Sequence, residues 1–285
     1  MAKKEKDIRR VKGISPMSAV VPFIMVNRTG ATNQIRDFIE SEKIEKYMKE
    51  KQAEGMQNIS LMHIFIAAYV RLLAQRPQLN RFIRGQRIWT RRSAEIALTI
   101  KKEMKLESPD TVIKITVDPS STLRDIYDAL NTEIETYRND PGGDFDNTAK
   151  VFSYLPALLF KFAIHTIKTL DYFNLLPKFL TKVSPFHCSF FITSMGSLAI
   201  PPIYHHLYDF GTCPVFFSFG TKRRAIELDS EGNVKKKSYI DFTFTLDERI
   251  CDGYYYASAL RMFKSILKNP WQLDEAPAEI IDDIK

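Results

Sequence analysis

The sequence predicts an α/β fold in which a mixed sheet packs against amphipathic helices. Residues 240–246 alternate apolar and polar side chains, which is typical of a half-buried strand. Residues 121–137 instead place their apolar side chains at helical spacing. Segments of both kinds are interspersed along a chain of 285 residues, 45% of them hydrophobic, which indicates one large layered domain.

The N-terminal part of the chain predicts one strand and two helices. The apolar run 19–26 contains a proline and is consistent with a short strand that begins irregularly. A charged amphipathic helix is predicted over residues 35–54. Ser60 then precedes a nearly continuous apolar segment, residues 61–73, which indicates a helix buried in the core. We interpret His63 in that helix as a core histidine rather than a ligand.

The middle of the chain predicts two strands and two helical segments. Alternating residues at 96–100 and 113–117 form the strands, and Ser121 opens the amphipathic helix that follows. A loop is predicted at 139–144. Residues 155–183 are apolar but carry several charges, which argues against a helix that spans a bilayer. We expect this segment to pack on the body of the protein or on a neighbouring subunit, with docking at a membrane surface as the alternative.

Several strands and a final helix are predicted in the C-terminal part. The strands are expected at residues 189–194, 214–220, 225–228 and 240–246, with a hairpin turn at 230–233. The last strand leads through a sharp polar turn into a helix that ends at Asn269-Pro270. Asp252 is placed to cap the start of that helix.

Charge and cysteine content suggest a cytoplasmic protein with two polar tails. The net charge is +7, and residues 1–12 hold six Lys or Arg against two acids. We therefore predict a solvated basic tail over residues 1–14, a domain over 15–273 and an acidic tail over 274–285, and no nucleic-acid partner. An odd count of three cysteines, with no apolar leader, indicates reduced thiols in the cytoplasm.

The segment Glu248-Arg-Ile-Cys-Asp-Gly253, between a strand and a helix, resembles a family signature. It is similar to the His-x-x-x-Asp-Gly of dihydrolipoyl acyltransferase and chloramphenicol acetyltransferase catalytic domains, with Glu248 at the position of the catalytic histidine. Residues 189–196 look like the family's Phe-Thr-Ile-Ser-Asn-Leu-Gly, with one residue fewer after the serine. Residues 77–80 match a Pro-x-Leu-Asn that precedes a strand. The resemblance covers roughly residues 15–273 and implies a chloramphenicol acetyltransferase-like two-layer sandwich.

The resemblance implies a coenzyme-A-dependent acyltransferase. In the family an imidazole deprotonates a thiol or other acceptor, a hydroxyl stabilises the tetrahedral oxyanion, and the Asp-Gly pair is structural. Carried over by position, Ser194 corresponds to the hydroxyl, Glu248 to the base, and Asp252 and Gly253 to the structural pair. The family's enzymes are trimers whose base and hydroxyl come from adjacent subunits, so a homotrimer is implied. The acceptor would be a small molecule or a lipoyl protein in trans, because no lipoyl group is expected in cis.

The identity of the base is open at this point. Strand alternation places Glu248 on the apolar face, where desolvation would make it a better base, although Arg249 beside it could pair with a nearby acid. The adjacent loop histidines offer another base. Since adjacent residues in an extended chain point in different directions, at most one of His205 and His206 is expected to act as the base, and we select His206. His187 is a weaker candidate.

Cys251 is expected to be a small buried side chain rather than a nucleophile, since no base adjoins it in the sequence. No spacing of His, Cys, Asp or Glu completes a metal site, and no metal is predicted.

Three functions compete at this stage. The first is an acyltransferase that uses Ser194 with Glu248 or a loop histidine. The second is a catalytically inactive trimer that binds coenzyme A or scaffolds a complex, which the missing histidine favours. The third is a membrane-surface protein that uses residues 155–183. Because Ser194 matches the family's hydroxyl and the loop is rich in histidine, we adopt the acyltransferase.

Overall fold

A computed structural model describes residues 7–101, 110–139, 154 and 156–283. The strands are β1 (Ile8–Arg10), β2 (Thr32–Glu40), β3 (Arg81–Arg84), β4 (Arg87–Arg91), β5 (Ala94–Lys101), β6 (Asp110–Val117), β7 (Phe190–Ser194), β8 (Val215–Leu228) and β9 (Val234–Asp247). The helices are α1 (Pro16–Ile24), α2 (Glu42–Ala53), α3 (Leu61–Gln75), α4 (Leu123–Asn139), α5 (Ala157–Tyr172), α6 (Lys178–Val183) and α7 (Gly253–Lys268).

The larger of two sheets has six strands in the order β2-β9-β8-β7-β5-β6. The pairs β5–β7 and β7–β8 are parallel, and the other neighbours are antiparallel. The smaller sheet, β1-β4-β3, is antiparallel throughout. A mixed sheet covered by helices confirms the predicted fold class.

Helices α3 and α7 pack on one face of the large sheet through aromatic side chains. The ring of Phe65 on α3 lies 5.1 Å from that of Phe217 on β8, and Phe263 on α7 lies 5.3 Å from Phe244 on β9. Helix α3 is apolar on nearly all sides because it lies in the centre of the core. His63 belongs to this core: its Nδ1 accepts the Ser60 amide at 3.1 Å, and burial lowers its pKa to about 4. The interpretation of His63 as a core histidine is confirmed.

The opposite face of the sheet is covered by the loop of residues 200–213. The amide of Ile203 donates to Ser218 Oγ on β8 at 3.1 Å, and Thr243 Oγ1 on β9 donates to the Ile203 carbonyl at 2.6 Å. Hydroxyl side chains on this face therefore satisfy the backbone of the loop, where apolar side chains would leave it unpaired. The loop brings its histidines to the sheet.

Two predictions for the N-terminal part are wrong. The run predicted as a strand lies largely in helix α1, which begins with Pro16 and is capped by Ser15 Oγ accepting the Ser18 amide at 3.1 Å. The helix predicted over 35–54 begins only at Glu42. The residues before it form β2, which pairs along its whole length with β9.

The two predicted tails are partly ordered. Residues 8–10 form β1 against β4 and Val11 is buried, so this part of the basic segment is not a solvated tail. In the acidic segment, the Ile281 amide donates to the Ala74 carbonyl at 2.8 Å, and Asp283 accepts from Arg81 at 2.7 Å. Residues 1–6 and 284–285 lie outside the described part of the chain. The domain boundaries stay a prediction.

The loop predicted at 139–144 begins at the last residue of α4 and otherwise lies outside the described residues.

The predicted helical segment 155–183 forms α5 and α6 from residue 157 onward. Several of its apolar side chains are exposed and do not pack on the described part of the body: Leu158 is 80% exposed and Phe162 is 70% exposed. Among the described residues, no helix combines the length and the hydrophobicity needed to cross a membrane.

Candidate functional site

A cleft of about 480 Å³ lies at the end of β7, on the face of the sheet that the loop covers. The strands supply its floor and the loop supplies one wall. Its lining is Thr99, Ile100, Val112, Pro185, Phe186, Phe191, Thr193, Ser194, Met195, Ser197, Leu198, Ile203, His205, Tyr208 and Phe216. None of these described lining residues is a lysine, arginine or carboxylate.

Both hydroxyls at the end of β7 line the cleft, but strand alternation gives them different faces. Ile192 is fully buried in the core under the helices, and Ser194, two residues on, shares its face. Thr193 shares the face of Phe191, whose ring stacks on Phe216 with the centroids 5.0 Å apart. The sequence singled out Ser194, whereas the structure places Thr193 on the strand face that forms the cleft floor.

His205 is the histidine that faces the cleft. Its ring stacks on that of Phe216 at 4.0 Å with the planes 5° apart, and its Nδ1 lies 2.7 Å from the carbonyl oxygen of His206. A carbonyl oxygen can only accept, so Nδ1 carries the proton and Nε2 of the neutral ring keeps its lone pair. Burial lowers the pKa of His205, which favours that neutral form.

His206, the candidate selected from the sequence, is exposed and does not line the cleft. Its ring instead lies edge-on to Tyr208, with the centroids 4.7 Å apart. That at most one of the two adjacent histidines serves as a base stays a prediction. Only the contact with Phe216 shows which one faces the cleft.

The polar turn after β9 is built on a buried ion cluster. Asp247 is fully buried, and its two carboxylate oxygens accept from Nε and Nη2 of Arg249, each at 2.8 Å. Arg28 Nε donates to the same carboxylate at 3.2 Å. Two guanidinium groups therefore share one carboxylate, and Arg249 is committed to holding the turn.

Glu248 is exposed, so the prediction that it continues the apolar face is wrong. Strand β9 ends at Asp247, and the backbone turns there, with the Glu248 amide donating to the Ala31 carbonyl at 2.8 Å. Within the single chain this carboxylate is therefore not buried. Glu248 also does not line the cleft that holds Thr193 and His205.

Arg28 links this turn to the histidine-bearing loop. Its Nη1 donates to the Tyr208 carbonyl at 2.6 Å, and its Nη2 donates to the Gly211 carbonyl at 2.9 Å. Since the same guanidinium binds Asp247, the position of the loop depends on the ion cluster.

Asp252 caps helix α7, as its position in the sequence predicted. Its carboxylate accepts the Tyr255 amide at 2.8 Å. A side chain at Gly253 would meet no atom within 4 Å, so the single chain itself does not require glycine there.

The remaining candidates lie away from the cleft. His187 is buried, with Nδ1 2.7 Å from Ser184 Oγ and Nε2 3.2 Å from an Asp171 carboxylate oxygen, which is a structural environment. Burial raises the pKa of Cys251 to about 12, which keeps its thiol protonated and unreactive. The three cysteines are free thiols, and the described residues contain no cluster of His, Cys, Asp and Glu suited to a metal ion.

Neither family models nor the sequences of curated proteins give a match to this chain. Solved structures do match over nearly the whole length. A probable dihydrolipoamide acetyltransferase from Listeria monocytogenes superposes with a TM-score of 0.59 at 12% identity, covering 96% of this chain and 99% of that one. A dihydrolipoamide acetyltransferase from Azotobacter vinelandii gives 0.57 at 10% identity, covering 92% and 94%.

A chloramphenicol acetyltransferase gives a TM-score of 0.53 at 9% identity, covering 91% of this chain and 99% of that one. The chain has the chloramphenicol acetyltransferase-like acyltransferase fold. The resemblance seen in the sequence is therefore confirmed as a likeness of fold, and identities this low carry nothing further about activity.

Proposed function

We propose that the protein transfers an acyl group between coenzyme A and a thiol or other small acceptor, with a lipoyl group presented in trans as one such acceptor. The observation that carries this proposal is the cleft in an acyltransferase fold. Thr193 and Ser194 line it at the end of β7, and the imidazole of His205 lies on the wall formed by the loop. Acyl transfer needs a base for the attacking thiol and a donor for the oxyanion, and both groups are present.

In the proposed reaction, Nε2 of His205 takes the proton from the attacking thiol as its sulfur adds to the acyl carbonyl carbon. The resulting oxyanion accepts a hydrogen bond from Thr193 Oγ1. Collapse of the tetrahedral intermediate breaks the original carbon–sulfur bond, and the leaving thiolate recovers the proton from the imidazolium. Ser194 remains the second candidate for the hydroxyl. Glu248 of an adjacent subunit remains the second candidate for the base.

The lining of the cleft suits one part of coenzyme A. Its described residues are apolar, aromatic or hydroxyl-bearing and carry no fixed charge, which fits the uncharged arm and the thiol. The phosphates would need cations from outside this lining. We therefore place the acyl thioester in the cleft and the nucleotide beyond its mouth.

We expect a homotrimer, because the family's sites lie between subunits and Glu248 does not line the cleft that holds Thr193 and His205 of its own chain. Light scattering at micromolar concentration should give a mass three times that of the 33.0 kDa chain. A mass equal to one chain would exclude both the trimer and any role for Glu248 of a neighbour.

Substitutions can show whether Thr193 or Ser194 stabilises the oxyanion. We expect Thr193→Val to lower kcat by about 10²–10³, the loss typical of one oxyanion donor, with Thr193→Ser largely restoring it. Ser194→Ala is the matched control and should have a small effect. The measurement is acyl-coenzyme A consumption in the presence of a small thiol, and the reverse ranking would assign the role to Ser194.

The exposed side chain of Glu248 also favours a second candidate, a catalytically inactive trimer that binds coenzyme A. Calorimetric binding of coenzyme A by a wild-type protein that consumes no acyl-coenzyme A would support it over acyl transfer.

A further inference from the structure

Helices α5 and α6 and the loop between them form a segment, residues 157–183, that is rich in exposed apolar side chains. Those more than half exposed are Leu158, Leu159, Phe162, Phe173, Leu175 and Phe179. In a soluble monomer, apolar side chains scattered singly need no explanation, whereas a set this large on one segment marks a binding surface.

The segment is attached to the body by polar groups rather than by its apolar ones. Asp171, at the last turn of α5, is buried and lies 3.2 Å from both Arg84 and His187. Arg84 also donates to Asn174 Oδ1 at 2.5 Å. Because these contacts hold the C-terminal end of α5, its exposed apolar side chains are not what fixes the helix to its own chain.

The N-terminal end of α5 carries exposed apolar side chains around more than half of its circumference. Leu158, Leu159 and Phe160 are consecutive and all exposed, and successive helical residues are turned by about 100°. A helix that lies in a protein groove uses one stripe, at positions i, i+3, i+4 and i+7. Side chains that point in several directions at a helix end are better suited to a fluid apolar phase than to a groove.

The charges on the segment have a single sign toward solvent. Lys161, Lys168, Lys178 and Lys182 are exposed. The one acid in residues 157–183 is Asp171, which is buried and paired as described above. A surface of lysines and exposed aromatic rings is complementary to anionic lipid headgroups over an acyl phase.

We propose that residues 157–183 dock the protein on an anionic lipid bilayer. The apolar end of α5 and the phenylalanines of the following loop and of α6 enter the boundary between headgroups and acyl chains, and the lysines lie at the lipid phosphates. Attachment is at the surface, in keeping with the length of α5, which is 16 residues. This inference does not depend on the proposed acyl transfer.

Co-sedimentation with vesicles tests the proposal. Wild-type protein should bind vesicles of phosphatidylcholine containing about a third phosphatidylglycerol, and bind them more weakly as salt is raised. It should bind pure phosphatidylcholine vesicles poorly. Absence of binding to the anionic vesicles, or equal binding to both kinds, would overturn the proposal.

Two double variants localise the binding. Leu158→Ser with Phe162→Ser removes apolar insertion and should weaken binding more than about tenfold. Lys161→Gln with Lys168→Gln should weaken it about 30-fold on anionic vesicles. The matched control is Ile226→Ser with Leu228→Ser on the β8–β9 hairpin, whose side chains are 73% and 70% exposed, and it should bind as wild type does.

All six side chains are exposed, and unchanged thermal unfolding would verify that each variant folds. Equal binding by the α5 variants and the control would place the lipid contact elsewhere and overturn the assignment. If the α5 variants instead lower the mass in solution and the wild type binds no vesicles, the segment is an interface between copies of this chain.

Discussion

Asp247→Asn is expected to lower the free energy of unfolding by about 3–5 kcal/mol, the cost of removing one partner from a buried ion pair. The asparagine has nearly the same shape, so packing is preserved while the charge is lost. Arg28 and Arg249, both buried, would then keep two positive charges with no carboxylate between them. The loss should exceed that of an ordinary surface pair by several fold, since an exposed pair contributes about 0–1 kcal/mol.

Asp241→Asn is the matched control. It lies on the same strand and also pairs with two arginines, Arg36 at 3.0 Å and Arg223 at 2.8 Å, but both arginine side chains are roughly half exposed. Urea unfolding of the wild type and the two variants, with the slope of the transition compared as well as its midpoint, measures the difference. Equal losses of unfolding free energy in Asp247→Asn and Asp241→Asn would show that burial does not make the Asp247 cluster more stabilising than the partly exposed Asp241 cluster.

The elements predicted best from the sequence are those with strong local periodicity. The alternation of Ile240, Phe242 and Phe244 marked the C-terminal half of β9, which begins earlier, at Val234. The apolar positions of residues 123–137 matched α4 within a few residues of its observed bounds. Helix α3 follows in the same way from Ser60 and the apolar run after it. These patterns arise because each element buries one face, or its whole surface, in a single core.

The elements predicted wrongly are those whose state is decided by partners far along the chain. Residues 35–40, the start of the predicted helix, are charged and amphipathic, but β9, about 200 residues later, pairs with them in antiparallel register, with Ile35 opposite Phe244. The run 19–26 is short and apolar, a pattern shared by strands and helices, and the capping Ser15 with Pro16 lies outside it.

The signature turn and the histidine-bearing loop were located from the sequence, and the catalytic role of each candidate residue stays a prediction. The signature turn gave the position of Asp252 correctly, but alternation was carried one step past the end of β9, which placed the exposed Glu248 on the apolar face. The loop histidines were identified as candidates. The choice between His205 and His206 needed the stacking of one ring on Phe216, a contact made across 11 residues that no local pattern encodes.

His205→Gln is expected to lower kcat/KM for acyl-coenzyme A by about 10²–10⁴, the contribution of a positioned general base. The glutamine amide can replace the hydrogen bond to the His206 carbonyl but has no lone pair able to take the thiol proton. The mutant should keep most of its thermal stability, because the imidazole is only partly buried; it makes one hydrogen bond and contacts the rings of His206, Tyr208 and Phe216. Activity and unfolding together therefore separate a catalytic role from a structural one.

The protonation of His205 predicts how activity depends on pH. A histidine acts as a base only when unprotonated, so activity should be lost as pH falls through the pKa of His205 and be fully present above it. Burial lowers that pKa from its ordinary value, so the acid limb should lie below about pH 6.5. His205→Gln should remove this limb along with the activity.

His206→Gln and Glu248→Gln are the controls that identify the base. His206 is the adjacent imidazole outside the cleft, and its substitution should leave both the rate and the acid limb close to those of the wild type. Glu248→Gln keeps shape and hydrogen bonding but cannot accept the proton. If that variant loses turnover while His205→Gln keeps it, the base is the carboxylate of a neighbouring subunit, and the cleft histidine serves only to line the site. If only His205→Gln loses turnover, the base is the imidazole on the loop and not the carboxylate on the turn after β9.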